Sequence, residues 1–261
     1  MSTLPAAAPF EPIWVWGLPL APLTFQQTLD EIKRRVDVGE PGFVITANLH
    51  YAMLTARDPR LPEVNNQAHF IGADGMPLVW ATRWRNHRLP ERVAGSDLVP
   101  AICGEAAKHG WRVFLLGGGP GIGETAAERL KERFPELQIV GIEAPNFRTM
   151  TPEEEQQLIG RIRAANPQVM FVALGQPVGE VWLAKHREAL GVPMCVQIGA
   201  SLDFLAGKVQ RAPRWIQKIG MEWFYRLSRE PKRLIGRYSS NAWFAFRMLL
   251  KDVVTSRDNR K

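Results

Sequence analysis

Short apolar runs that alternate with longer stretches of helical period constrain this chain more than any other feature. Phe43–Thr46, His69–Ile71, Val113–Leu116, Ile139–Ile142, Val169–Leu174 and Met194–Ile198 are each a few residues long and strongly apolar, as strands buried on both faces must be. The segments between them are too long for hairpins, so they read as crossovers that return the chain to a parallel neighbour. The expected fold class is α/β, a mostly parallel sheet flanked by helices.

Local signals place the helices. Phe25, Leu29, Ile32 and Val36 recur at helical spacing behind Thr24, a good N-cap, and Gly39–Gly42 ends that run. A helix over Tyr51–Ala56 should stop before Pro59, and another should follow Pro77 from Leu78 to Trp84. Arg85–Gly95 reads as a charged loop, with Ser96 capping a helix to His109. Thr151-Pro152-Glu153-Glu154 combines a capping box with proline in the first turn. The opening MSTLPAAAPFEPIWVWGLPLAPLTF lacks the basic start and unbroken apolar middle of a signal peptide and reads as a leader into a first strand. No run of about 18 uncharged apolar residues occurs, so no membrane-spanning helix is expected. Cys103 and Cys195, far apart and outside any metal-ligand spacing, read as buried reduced thiols in a cytoplasmic protein.

Past Leu205 helical periodicity with dense charge takes over, which divides the chain into a core, 1–207, and an appendage, 208–261. The net charge of +7 is unevenly spread: Lys208–Lys251 holds eleven Lys and Arg against two Glu, while Met1–Gly207 holds nineteen basic and twenty-two acidic residues. Trp215, Trp223, Phe224, Tyr225, Tyr238, Trp243, Phe244 and Phe246 share the basic segment. Cations interleaved with aromatic rings suit an anionic lipid surface, with nucleic acid as the rival partner.

In open parallel sheets ligands bind beyond the carboxyl ends of the strands. The loops there hold Thr46–Asn48, Asp74-Gly75, Gly117–Gly123 and Gly175–Glu180, and the last strand leads to Asp203. The glycine run, with Gly117, Gly118 and Gly119 at its start, offers backbone N–H groups to a diphosphate, or is only a tight turn. Gly121-Ile122-Gly123-Glu124-Thr125-Ala126 also fits a dinucleotide pattern, with Glu143 as the ribose acid of an NAD-dependent oxidoreductase. Asp74 is either a general base at the sheet edge or part of an ordinary Asp-Gly turn. No Asp-x-Asp pair or His/Cys/carboxylate cluster marks a metal site, so a leaving diphosphate would have to meet protein cations, the appendage arginines or Arg92 among them.

Four segments, ADGMPLVWATRW, LPERVAGSDLVPAICGEAA, VFLLGGGPG and DFLAGKVQRAPRWIQKIGMEWFYRLSREPKR, resemble the WecG/TagA/CpsF glycosyltransferases, and the likeness runs from about Phe43 to Arg237. The resemblance implies a Rossmann-like core completed by a C-terminal appendage. It further implies inverting, metal-independent transfer of a hexose (N-acetylmannosamine, its uronic acid, or glucose type) from a UDP-sugar to a sugar on undecaprenyl diphosphate, at the inner membrane face. No cofactor and no nucleic-acid partner is implied, and a homo-oligomer is left open. By that resemblance Asp74 is the catalytic base and Thr46 touches the acceptor or transferred sugar. Asn48 and Asp203 lie near the donor or nucleotide, with the glycine turn, while Arg92, Arg226, Arg233 and Arg237 meet acceptor or diphosphate. Relatives usually read GxPxQE(K)W, where this chain has Gly175-Gln176-Pro177-Val178-Gly179-Glu180-Val181-Trp182. Gly179 stands in place of a donor-contacting glutamine, and Gln176 is the candidate to reach the same space.

Overall fold

The computed structural model describes residues 10–83 and 88–258. Residues 1–9, Trp84 and the first part of the loop after it lie outside the described residues, and the helix expected to run as far as Trp84 ends already at Ala81.

All six apolar runs form strands. The N-terminal segment adds two more, β1 (Ile13–Val15) and β2 (Leu18–Leu20), paired antiparallel. The expected single strand is thus a hairpin, turned at Trp16 and Gly17, whose φ of 49° and 87° have the sign a two-residue hairpin turn needs. The order continues α1 (Phe25–Val38), β3 (Phe43–Ala47), α2 (Leu49–Thr55), α3 (Leu61–Gln67), β4 (Phe70–Ala73), α4 (Met76–Ala81) and α5 (Gly95–His109). Then come β5 (Arg112–Gly117), α6 (Ile122–Arg133), β6 (Gln138–Glu143), α7 (Pro152–Ala165), β7 (Val169–Ala173), α8 (Val178–Leu190) and β8 (Met194–Gln197). Four helices end the chain: α9 (Ser201–Leu205), α10 (Arg214–Lys218), α11 (Glu222–Arg229) and α12 (Pro231–Asp258).

The strands form one sheet in the order β1-β2-β4-β3-β8-β7-β5-β6, and every pairing after β1–β2 is parallel. From β3 the chain moves outward to β4, while the later strands lie on the other side of β3. The carboxyl ends of β4, β3, β8 and β7 therefore border the crevice where such sheets bind ligands. Successive β3 residues serve opposite faces: Phe43, Ile45 and Ala47 join one apolar cluster and Val44 the other. Two helical layers thus cover the sheet.

The capping residues Thr24 and Thr151 act as their spacing indicates, each in a reciprocal capping box, with Gln27 and Glu154 respectively. Two features depart from the sequence reading. The chain resumes a short helix, α3, two residues after Pro59. Ser96 is not the cap of α5, which begins at Gly95 behind Ala94. The first turn of α5 is pressed onto the sheet end, where a Cβ on Gly95 would lie 3.1 Å from Thr46 Oγ1, and an acceptor from another loop takes the capping role.

The segment after Gly207 adds helices but no strand. α12 packs on α2, and its Phe244 enters the core cluster, edge-on to Trp16 of the hairpin turn at 5.9 Å between ring centroids. Trp16 Nε1 also donates to Asp252 at 3.2 Å, and His50 Nδ1 lies 3.1 Å from Asn241 Oδ1.

The glycine turn after β5 is tight for steric reasons. Gly117 has φ 99°, and a Cβ there would sit 2.7 Å from the Ala173 carbonyl oxygen. Gly117→Ala should therefore lower unfolding free energy by about 1–3 kcal/mol in a urea titration; unchanged stability would contradict this packing.

Candidate active site

One cavity of about 800 Å³ opens over the carboxyl ends of β4, β3, β8 and β7, roofed by the C-terminal helices. Of the residues singled out in the sequence, Thr46, Asn48, Asp74, Arg92, Gln176, Asp203, Arg226 and Arg237 line it. Strand order explains which ones do not. Gly117, Gly118 and Gly119 follow β5, one strand beyond β7, and are absent from the wall. They approach it indirectly: a Cβ on Gly119 would be 3.6 Å from Lys208 Nζ, which stands 3.9 Å from Asp203 Oδ1. Arg233 is also outside, exposed and paired with Glu230 at 2.7 Å. Glu143, the acid of the dinucleotide reading, ends the far edge strand and binds Arg161 at 2.6 Å.

Asp74 is set at the centre by backbone geometry. Its N–H donates to the Ala47 carbonyl at 2.7 Å, which extends the β3–β4 pairing by one step. Its Oδ2 accepts from Gly95 N–H at 3.3 Å, so this carboxylate caps α5 in place of Ser96. Two effects then compete. The helix N-terminus and the nearby Arg92 guanidinium favour the ionised form, while enclosure and the carboxylates of Glu222 and Asp97 oppose it. Enclosure wins: burial above all pushes the carboxyl up to about 7.

The neighbours are fixed by their own bonds. Thr46 Oγ1 donates to the Gln197 carbonyl at 2.8 Å, locking the hydroxyl against β8. Asn48 Oδ1 caps α2, accepting from His50 and Tyr51 N–H at 3.0 and 3.2 Å, which leaves its amide nitrogen as the group to meet a ligand. His50 is held below the usual histidine range by burial and by Arg237.

The appendage arginines differ in their engagements. Arg226 stands over the Phe204 ring at 5.1 Å, and its Nε is buried without a hydrogen-bond partner. Arg237 has its guanidinium pushed down by desolvation and by the charges of Arg226 and Arg233. Arg92, expected to meet acceptor or diphosphate, is already committed, to Glu222 at 3.0 Å and Asp97 at 3.6 Å.

Glu222, Trp16, Trp80, Ser201 and Asn241 also line the cavity and were not singled out in the sequence, while Tyr238, named there only among the aromatics of the basic segment, joins them. Glu222 did carry a signal. It is one of two acids among eleven cations between Lys208 and Lys251, and an acid kept in such a segment calls for a partner. Among the described residues no three His, Cys, Asp or Glu side chains gather as a metal site would require.

Because Asp74 titrates near 7 in the folded chain against an ordinary 3.8, the folded state holds the extra proton between those values. Stability is then lost as pH rises through that window, and the penalty is complete above it. Asp74→Asn should raise the thermal midpoint at pH 8, and the gain should shrink toward pH 4. A midpoint difference independent of pH would contradict the shifted carboxyl.

Comparison with known proteins assigns the chain to a family. The family model described as "Glycosyl transferase WecG/TagA/CpsF family" matches residues 13–259. An N-acetylglucosaminyldiphosphoundecaprenol N-acetyl-beta-D-mannosaminyltransferase of Bacillus spizizenii (strain ATCC 23059 / NRRL B-14472 / W23) is 31% identical over 198 residues, 76% of this chain and 75% of its own. The protein of the same name from Bacillus subtilis (strain 168) is 30% identical over 201 residues, 77% of each chain. A match that spans the strands, the Asp74 loop and the appendage alike leaves one assignment: the chain belongs to the WecG/TagA/CpsF family and is a glycosyltransferase.

Proposed function

We propose that this chain transfers N-acetylmannosamine from a UDP-sugar to N-acetylglucosamine carried on undecaprenyl diphosphate, with inversion and without a metal ion, in the assembly of a cell-envelope polysaccharide. The names of the two relatives support the transferred sugar and the acceptor. The observation that carries the mechanism is the placement of Asp74, a carboxyl raised to about 7, in the same cavity as Arg226 and Arg237.

On this reading the ionised Asp74 accepts the proton of an acceptor hydroxyl. That oxygen bonds to the anomeric carbon as the bond to the β-phosphate oxygen breaks, and UDP leaves with the electron pair. Attack from the face opposite the leaving group inverts the centre. Arg226 and Arg237 meet the charge that develops on the diphosphate, which is where fixed cations lower a barrier most. Thr46, Asn48, Gln176 and Asp203 orient the sugars, and the glycine turn with Lys208 closes the nucleotide end. Arg233, outside the cavity, is assigned to the lipid headgroup instead.

The surface of the appendage supports work at a membrane, which we place on the cytoplasmic face with the UDP-sugar. Of the twelve large apolar residues exposed among the described residues, nine fall between Trp215 and Leu250, including Trp215, Trp243 and Phe246 at 66, 59 and 52% exposure. Arg229, Lys232, Arg247 and Lys251 are interspersed with them. Apolar groups gathered this way sit well among headgroups with the cations on phosphate. Among the described residues no helix is long and apolar enough to cross a membrane, so the attachment proposed is peripheral.

Purified protein given UDP-N-acetylmannosamine and undecaprenyl-diphosphate-linked N-acetylglucosamine should form the lipid-linked disaccharide with inverted configuration, and no product from any UDP-hexose would overturn the reading. Asp74→Asn should lower kcat by about 10²–10⁴-fold, and wild-type kcat should fall as pH drops below about 7 because the base must be ionised. Trp215→Glu with Trp243→Glu should weaken binding to phosphatidylglycerol vesicles, and wild-type binding should decline as salt is raised.

A further inference from the structure

Beside Asp74 lies a closed ring of four charges contributed by four separate parts of the chain. Arg92 comes from the α4–α5 connection, Asp97 from the first turn of α5, Arg211 from the α9–α10 connection, and Glu222 is the first residue of α11. Arg92 Nη1 donates to Glu222 Oε2 at 3.0 Å, and its Nη2 lies 3.6 Å from Asp97 Oδ2. Arg211 grips both oxygens of Asp97, at 2.6 and 2.8 Å, and its Nε stands 3.9 Å from Glu222 Oε1. The Glu222 and Arg92 side chains are only 14 and 17% exposed. Removing such charges from water costs more than a hydrophobic contact at the same place would, so stability alone does not account for the ring.

We propose that Glu222 is a positioning residue, resting on the assignment of Asp74 as base: by engaging Arg92 it keeps that guanidinium from locking onto the Asp74 carboxylate, so that docking of α11 finishes the base. Arg92 is the strongest opposing charge that acts on Asp74, while Glu222 and Asp97 are like charges that act on it from the other side. Arg211 also acts on Asp74 as a cation. The remaining polar influence is the Gly95 N–H of α5, and His50, Asp203, Arg226 and Arg237 share the cavity wall. With the ring closed, two cations and two carboxylates cancel and burial governs the base. With Glu222 neutralised, Asp74 loses a like charge and gains a freed Arg92. Both changes favour its ionised form and make it a weaker base. Loss of Arg211 does the reverse, since one cation disappears and Asp97 and Glu222 are left to hold Arg92 more tightly.

The test is the pH profile of kcat/KM for Glu222→Gln and Arg211→Gln, with folding checked by thermal melts. Glu222→Gln should move the acid limb to lower pH and reduce plateau kcat by up to about 10²-fold, the scale of a displaced reacting group. Arg211→Gln should move the limb to higher pH. Glu222→Asp, which keeps the charge, should return the limb toward its wild-type position, and it carries the comparison with Arg211→Gln if Glu222→Gln does not fold. Limbs that stay in place while activity falls, or that move the same way in the Gln variants, would overturn the proposal. Failure of the underlying reading looks different: the limb would not depend on Asp74, and Asp74→Asn would turn over normally.

Discussion

A carboxyl group enclosed at the end of a parallel strand, facing the N-terminus of the next long helix, is the arrangement around which this structure is organised. Asp74 continues the β3–β4 ladder through its N–H and caps α5 through its side chain, so its position is fixed by two backbone elements and not by rotamer choice. The cap favours the charged form and enclosure opposes it. The balance, a carboxyl near 7, suits a group that must both take up and release a proton at neutral pH. A carboxylate in an open Asp-Gly turn would keep its ordinary low value and make a much poorer base.

Enclosure in turn depends on the C-terminal helices. Without them the crevice over β4, β3, β8 and β7 would be an open sheet edge, and water would return the carboxyl to its usual range. α12 is fastened at the hairpin turn by the Trp16–Phe244 and Trp16–Asp252 contacts, and at α2 by the His50–Asn241 pair. α11 is fastened at the Arg92 ring. Helices α10, α11 and α12 carry most of the exposed aromatic residues, and of these Trp223 and Phe246 also line the cavity. The same helices that enclose the base therefore also set its electrostatics, through the engagement of Arg92 by Glu222.

How much of this was legible in the sequence follows from the range of each interaction. Strands buried on both faces announce themselves as apolar runs, and Thr24 and Thr151 announce their helices because a capping box is written within four residues. The order of the strands is not local. Nothing between Gly117 and Gly123 reveals that β5 lies beyond β7, which is why the glycine turn, an attractive phosphate loop in sequence, falls outside the cavity wall. The start of α5 was misread for the same reason: Ser96 is the obvious local cap, but the acceptor that reaches Gly95 is Asp74, twenty-one residues earlier. Glu222 was overlooked because its partner is 130 residues away. Asp74, Thr46 and Asp203 were accessible because α/β sheets place ligands beyond strand ends whatever the strand order.

The wall formed by β7 and β8 bears on which sugar the cavity would accept. Gly179 leaves no room for a side chain: a Cβ there would stand 2.9 Å from Gln197 Nε2 and 3.2 Å from Leu174 Cβ. Gln197 does not swing aside cheaply, being fully buried and bonded to the Leu174 carbonyl and the Gly199 N–H at 2.9 and 2.8 Å. Gln176 is therefore the amide that this turn presents to the cavity. Behind it lies Glu180, completely enclosed, with its carboxyl pushed up to about 7 by burial and faced by the amides of Gln176 and Gln197. Among the described residues this wall carries amides and a carboxyl that favours its neutral form, while the cations of the cavity, Arg92, Arg226 and Arg237, come from other elements. A hexose bearing hydroxyls and an acetamido group finds partners there, whereas a uronic acid would bring a third anion toward Asp74 and Asp203 with nothing on this wall to balance it. On the proposed reading, in which this wall meets the transferred sugar, that asymmetry favours the neutral N-acetylhexosamine over its uronic acid.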